Sequence, residues 1–407
     1  MNIWLINHYA VPPKYYPLAR QTYFAKHMMR MGHTVKIFAA STVHNSQMNL
    51  IEDKLPYREE VVDGVSYVYI RCHHYQGSGL KRVYNICEFA WKLPGVCKNF
   101  SKPDAIVATS MPPTSCAVGI YLAKKYGCKG IAEIADLWPE SIVAYGIAGP
   151  KNPAVIALRW LEKWIYKTAD SIVFTMEGAY DYIREQKWER EISQEKVYSI
   201  NNGVDLESFF ENRESYRVEN ADLDNEEIFK VVYTGSIRRV NNLGLLLDAA
   251  KCVKNPRIRF LIWGSGDELD ALRGRVEEEG INNVKFQGVV EKKYIPGIVT
   301  RADLNIAHNS PAPLFRFGIS FIKLFDYFAA GKPVLCDFPC PYNPAIIWGA
   351  GTQVENPTPE NIARAIETFA DLPVERYAEY MKNAQVAAKE YDFGNLTRKL
   401  LNIIAES

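Results

Sequence analysis

Residues 229 to 252, FKVVYTGSIRRVNNLGLLLDAAKC, decide the fold. Phe229 to Thr234 is a short apolar run rich in β-branched and aromatic side chains, and Gly235 breaks it. From Asn242 to Cys252 the leucines and alanines recur at the three-and-four spacing of a helix that buries one face. A buried strand turning at glycine into a helix is half of a βαβ unit, the connection that parallel strands require.

The same alternation continues in both directions. Downstream, RIRFLIWG (257–264), NVKFQG (283–288), LNIAH (304–308), KPVLCD (332–337) and GTQVEN (351–356) read as further strands. Upstream, NIWLIN (2–7), TVKIFAA (34–40), VSYVYIR (65–71), AIVAT (105–109), GIAEI (130–134), SIVFT (171–175) and KVYSI (196–200) form an earlier set. A helix from Leu18 to Gly32 follows the first of them and ends on glycine. Two sets imply two doubly wound α/β domains: residues 1–206, then a polar, acidic linker over 207–228, then residues 229–385. The last helical pattern, 386–407, is free to pack back on the first domain. Sheets of this kind bind ligands at the carboxyl ends of their strands, and two facing sheets would share one central cleft.

The bulk properties exclude several classes. A chain of 407 residues, 48% hydrophobic and 23% charged, supports two separate cores. A net charge of +1, without a basic stripe interleaved with aromatics, argues against nucleic acid as a partner. MNIWLINHYA lacks the basic region of a signal peptide, and no apolar run nears the roughly 20 residues of a spanning helix. The expected location is cytoplasmic, with peripheral contact at the inner face of the cell membrane. Eight cysteines show no CxxC pairing, and Cys336 with Cys340 is too little for zinc, so reduced structural thiols are expected. No metal is expected either. Asp267-Glu268 falls in a turn, Asp222-Leu223-Asp224 in the linker, and His73-His74 in a solvated loop after a strand.

Candidate site residues cluster at the strand ends. Gly235, Ser236, Arg238 and Arg239 bring a glycine turn and two guanidiniums together, a setting that suits phosphates. The plain alternative is a solvated turn whose arginines pair with surface acids. Gly264, in WGSGD, is either a second nucleotide-contacting turn or a tight turn with a helix cap. Gly288 and Val289 leave backbone groups open to the edge of a base. In GISFIKLFDYFAAGKPV (318–334), Ser320 is the expected N-cap, Leu324 and Phe328 share an apolar face, and Lys323 and Asp326 share a polar one. Lys323 at a helix N-terminus attracts a diphosphate, and Asp326 can accept hydrogen bonds from two ribose hydroxyls. A surface ion pair between these two is the alternative.

In the first half, EIADLWPES (133–141) puts Glu133, Asp136 and Glu140 at a strand's carboxyl end. Asp136 can orient sugar hydroxyls or take an acceptor's proton, and Glu140 can contact the acceptor or serve as a first-turn helix acid. Asn202, in the turn after KVYSI, and Arg20 are further acceptor-side candidates. Leu80 to Lys102 carries Lys81, Arg82, Lys92, Lys98 and Lys102 with Tyr84, Phe89, Trp91 and Phe100, against the single acid Glu88. Such a stretch can rest on an anionic membrane surface, or pack on the sheet with its lysines snorkelling.

These motifs resemble the family-4 retaining glycosyltransferases of the GT-B fold, and among them the bacterial O-antigen and capsule enzymes similar to fucosamine transferases. The likeness rests on GHTVKIF (32–38), EIADLWPES (133–141), NNGVD (201–205), VVYTGSI (231–237) and KLFDYFAAGKPVL (323–335), in the family's order. It implies a nucleoside-diphosphate sugar, by family habit a UDP-sugar, as donor and a glycan or polyprenyl-linked glycan as acceptor, in the synthesis of bacterial surface polysaccharide. Asp326 stands where the family has a ribose-binding glutamate, Lys323 and Ser320 lie by the diphosphate, and Asp136 faces sugar or acceptor. Retention and metal independence are also implied, positive side chains and a helix N-terminus replacing a divalent ion at the leaving group; that Arg238 and Arg239 join Lys323 in this is our reading of the turn and not the family's pattern. Three departures stand out. The family's Glu-x7-Glu pair would need an acid at Gly318. Its phosphate-loop Arg and Lys fall here at Ser236 and Asn241. Its glycine-rich first loop is replaced by Pro12-Pro13-Lys14-Tyr15-Tyr16-Pro17. A sugar-nucleotide 2-epimerase of the same fold and a non-catalytic nucleotide-sugar-binding scaffold are the alternatives.

Overall fold

The computed structural model describes residues 1–15, 19–44, 46–77 and 79–406. The chain forms two compact units, one of Met1–Asn201 with the final segment from Phe393, the other of Asn202–Asp392.

Among the described residues the sheet of the first unit has eight strands: β1 (Asn2–Ile6), β2 (Thr34–Ala40), β3 (Tyr57–Val62), β4 (Val65–Ile70), β5 (Ala105–Thr109), β6 (Lys129–Ile134), β7 (Ser171–Phe174) and β8 (Val197–Ser199). Their order is β3-β4-β2-β1-β5-β6-β7-β8, parallel except for β3, which runs antiparallel to β4. β5 is buried along its whole length, as a strand covered on both faces must be. β3 is absent from the sequence reading. Its YREEVV is a half-exposed edge strand with too few apolar residues to stand out.

The helix after β1 spans Arg20–Arg30, shorter than expected at both ends. Leu18, its expected start, lies outside the described residues, as do Tyr16 and Pro17 of the proline-rich loop. Helices Leu80–Cys97, Pro113–Tyr126 and Pro153–Thr168 lie side by side, the middle one touching both others. Their right-handed crossovers all run in one direction across the sheet, so they cover one face. The helix Phe393–Glu406 packs on Arg20–Arg30. Phe393 stacks on Tyr23 at 4.9 Å and meets Phe24 edge-on at 5.5 Å. Leu396, Leu400, Ile403 and Ile404 continue the buried face at helical spacing.

The second unit holds six parallel strands among the described residues: β9 (Phe229–Thr234), β10 (Ile258–Trp263), β11 (Val284–Gly288), β12 (Leu304–Ala307), β13 (Val334–Cys336) and β14 (Gly351–Gln353). Their order is β11-β10-β9-β12-β13-β14. Val231, Tyr233, Phe260, Ile262 and Ile306 from the sheet pack with Leu246 and Leu247 from one helix and Ile362 and Ile366 from another.

Two boundaries differ from expectation. Residues 207–228 are not a bare linker. Helix Leu206–Ser215, capped by the Asp205 carboxylate, and helix Ala221–Asp224, capped by Asn220, belong to the second unit. Each buries a single apolar residue, Phe209 or Leu223, too little to create a periodic pattern. The last helical pattern is broken between Glu390 and Phe393. Tyr391 docks on Phe325 at 4.8 Å and accepts a hydrogen bond from Trp348 Nε1 at 3.2 Å, while the Asp392 carboxylate accepts from the Leu206 amide. Helix Val374–Glu390 therefore stays in the second unit, and only Phe393 onward joins the first. No helix among the described residues is long and apolar enough to cross a membrane.

Candidate active site

In the second unit the loops after β9, β10 and β11 are sewn together at the carboxyl edge. The Gly235 amide donates to Trp263 O at 3.0 Å, Ile237 to Ser265 O at 2.8 Å and Gly264 to Gly288 O at 2.8 Å. Glycine permits the approach. A β-carbon on Gly264 would fall 1.8 Å from Gly235 O, and one on Gly266 1.9 Å from Ile237 O. Gly264, with φ +153, thus lets two loop backbones touch. It does not cap the next helix, Leu269–Glu278, which starts from Glu268. Gly288 ends β11 with open space around its α-carbon, and Val289 beyond it is exposed.

Lys323 lies in the first turn of helix Ile322–Ala329. Its ammonium is 4.1 Å from the centroid of the Tyr233 ring, and it occupies the space where a side chain on Gly235 would begin. Burial pushes its pKa down to about 8, outweighing the opposing charge of Asp337. Lys323 is half-buried, and among the described residues no carboxylate pairs with its amine. Arg238 and Arg239 are exposed and enter no ion pair among the described residues. Ser236 is exposed, its hydroxyl donating to Asn241 Oδ1 at 2.9 Å and its carbonyl accepting from Tyr233.

The alternative, a surface ion pair of Lys323 with Asp326, does not form. Asp326 is buried and pairs with Lys292, from the turn after β11. Nor is Ser320 the N-cap. Phe321 occupies that position without a capping side chain, and the Ser320 hydroxyl instead accepts from the Asn202 amide at 2.8 Å. Asn202 Nδ2 donates to Ser320 O at 2.8 Å. Two N–H donors of Asn202, one backbone and one side-chain, therefore hold Ser320 in place. Gly318 adopts φ +108, a conformation that disfavours any side chain, so the backbone itself accounts for the missing acid.

Sequence reasoning missed His308 and Asp337. The pairing of β12 with β13 sets Ala307 beside Cys336, so the residues that follow, 29 apart in the chain, meet in the interior. Burial opposes charge on His308, but the adjacent carboxylate and hydrogen bonds outweigh it and raise its pKa. Its Nε2 lies 2.9 Å from Asn242 O, tying the loop after β9 to the far strands.

In the first unit Glu133 is buried and accepts from Arg20 Nε at 2.9 Å, Gln21 at 3.1 Å and Thr109 at 2.8 Å. Arg20 also donates to Asn201 O and Ile200 O, so its anion is an internal one. Glu140 begins the short helix Glu140–Ala144, and Arg159 donates to its carboxylate at 2.7 Å. Asp136 is the exposed carboxylate of the motif. Glu177, after β7, accepts from Asn201, and burial pushes its pKa up to about 7. The described residues gather no group of three His, Cys, Asp or Glu side chains that could hold a metal ion.

Residues 21–208 match the family described as Glycosyltransferase Family 4, and residues 214–387 match Glycosyl transferases group 1. WcaI of Escherichia coli strain K12, named as a colanic acid biosynthesis glycosyl transferase, is 23% identical over 291 residues, 68% of each chain. TuaH of Bacillus subtilis strain 168, named as a teichuronic acid biosynthesis glycosyltransferase, is 27% identical over 213 residues, 50% of this chain and 49% of its own. Among solved structures, sucrose-phosphate synthase from Thermosynechococcus elongatus superposes with a TM-score of 0.72 at 17% identity, covering 100% of this chain and 98% of that one. Anabaena HepE in complex with UDP and glucose gives 0.66 at 15% identity, covering 100% and 99%. These structural likenesses establish a common fold.

Proposed function

We propose that this chain, whose GT-B fold and whose matches over residues 21–208 and 214–387 relate it to Glycosyltransferase Family 4 and the group-1 glycosyl transferases, transfers a sugar from a UDP-sugar, with retention, to a glycan or polyprenyl-linked acceptor in bacterial surface polysaccharide synthesis. The observation that carries the reading is Lys323, a half-buried amine with no ion pair among the described residues, packed against Gly235, the turn that leads in sequence to the exposed Arg238 and Arg239.

When the bond between sugar and diphosphate breaks, negative charge gathers on the departing phosphate. Fixed cations at that point stabilise the transition state more than the ground state. In this reading Lys323, with Arg238 and Arg239, takes that task without a metal. Asp326 receives the ribose hydroxyls, and the open backbone at Gly288 and Val289 reads the base. Asp136 orients the sugar or accepts the proton of the incoming hydroxyl. The complex of HepE with UDP and glucose supports the choice of nucleotide, and the names of WcaI and TuaH support the polysaccharide setting. The basic, aromatic segment 80–102 rests on an anionic membrane near a lipid-linked acceptor.

The test is a thermal-shift series with nucleoside diphosphates, followed by turnover of the matching donor with and without lipid-linked acceptor. UDP is expected to raise the melting temperature most, and Asp136→Ala to keep UDP binding while slowing transfer. Gly318, fixed as a residue without a side chain, favours one second reading, a nucleotide-sugar-binding scaffold. Binding without turnover on any donor would establish it.

A further inference from the structure

The three neighbouring helices on one face of the first unit expose large apolar side chains at helical spacing. Leu80, Tyr84 and Trp91 line the outer side of the first helix, with Leu80 88% and Trp91 80% exposed. Tyr121 stands on the second. Ile156, Trp160 and Trp164 follow at intervals of four on the third, Trp160 being 77% exposed. Each helix turns another apolar side to the sheet, as buried Phe89, Ile120 and Ile165 show, so these residues are not core. An aromatic face of this extent on a folded unit marks an interaction surface.

Charge identifies the partner. The three helices carry Lys81, Arg82, Lys92, Lys124, Lys125, Arg159, Lys163 and Lys167, against two acids, Glu88 and Glu162, both buried. Asp170 and Glu191 on flanking loops pair with Lys124, Lys163 and Lys167, Glu88 pairs with Lys92, and Glu140 with Arg159. Lys81 and Lys125 are exposed and enter no ion pair among the described residues. A second copy would set this basic face against its like. Tryptophan and tyrosine among lysines match the headgroup region of an anionic bilayer, where amphipathic rings sit at the boundary and each lysine gains from the surface potential.

We propose that all three helices, rather than residues 80–102 alone, form one docking face for an anionic lipid surface. The inference rests on the reading of 80–102 given above and extends it to Tyr121, Ile156, Trp160 and Trp164. Tyr84 and Ile156 lie in early turns of helices that start from the sheet's carboxyl edge, the edge that carries Asp136. Docking there brings Asp136 toward lipid-borne acceptors.

The test is sedimentation of the full chain with vesicles of phosphatidylcholine and phosphatidylglycerol, against phosphatidylcholine alone. Binding is expected to be about tenfold stronger to the anionic vesicles and to weaken with salt. Trp160→Ala with Trp164→Ala, and separately Trp91→Ala with Lys98→Glu, should each lower it about tenfold, with circular dichroism and UDP binding unchanged. If only the second pair loses binding, the segment 80–102 stands and the three-helix face is overturned. If the unaltered chain ignores anionic vesicles, both fall. A dimer in light scattering that the Trp160 and Trp164 changes make monomeric, without vesicle binding, would assign the face to a second copy and overturn the lipid.

Discussion

A β-carbon on Gly264 would lie 1.8 Å from the carbonyl oxygen of Gly235, so the loops after β9 and β10 meet backbone to backbone. Gly264→Ala cannot be absorbed by a side-chain rotation. It is expected to cost about 3 kcal/mol of stability, read from the urea midpoint, and to displace Gly235 from beside Lys323, abolishing nucleotide binding. Gly274→Ala, in an open position of helix Leu269–Glu278, is the control, expected to be neutral or stabilising by up to about 1 kcal/mol.

Lys323 ties binding and stability to pH with opposite signs. Its pKa in the fold, about 8, lies below the ordinary 10.5. Between these values the unfolded chain binds the proton more readily, so this group makes stability rise with pH from about 8 to 10.5. Affinity for a nucleoside diphosphate needs the charged amine and should fall over the same window. Lys323→Met should remove both slopes. Isothermal titration at pH 7 and 9.5, beside thermal melts at the same values, checks them.

Asp326 is paired with Lys292. Asp326→Ala is expected to weaken UDP binding by about 1 to 3 kcal/mol if two ribose hydrogen bonds are lost. Lys292→Ala frees the carboxylate and should leave affinity equal or improved. A large loss from Lys292→Ala would instead make that lysine the nucleotide contact.

Glu162 provides a prediction in the first unit. It is buried, and the hydroxyls of Tyr166 and Tyr182 donate to it at 2.9 and 2.8 Å. Burial dominates over these bonds and pushes its pKa up to about 8 from 4.5. Its stabilising contribution is complete below pH 4.5 and is lost as pH rises through about 8. Glu162→Gln should flatten that part of the stability profile, measured by urea unfolding between pH 5 and 8.

What the sequence could reveal followed from how each feature is encoded. Buried parallel strands such as AIVAT are continuous apolar runs, visible one at a time, and so the sheets could be read. Tyr57–Val62 shows only a half-polar edge, and helices with one buried residue leave no period, so the antiparallel strand and the two helices near residue 210 escaped. At the site, Lys323 and the glycine turn at 235 were legible because each sits at a local strand or helix boundary. The pairing of His308 with Asp337 depends on which strands lie side by side, and the contact of Gly264 with Gly235 on how two loops meet. Ser320 has a residue type suited to capping, but Asn202 claims its hydroxyl.

The packing of Phe393 on Tyr23 has a consequence for biosynthesis. Residues from Phe393 onward are translated after the entire second unit, yet they complete the first. The first unit must therefore wait, with the apolar side of Arg20–Arg30 uncovered, until Phe393 and the residues after it have been made. During that interval Tyr23 and Phe24 are natural places for a chaperone to hold.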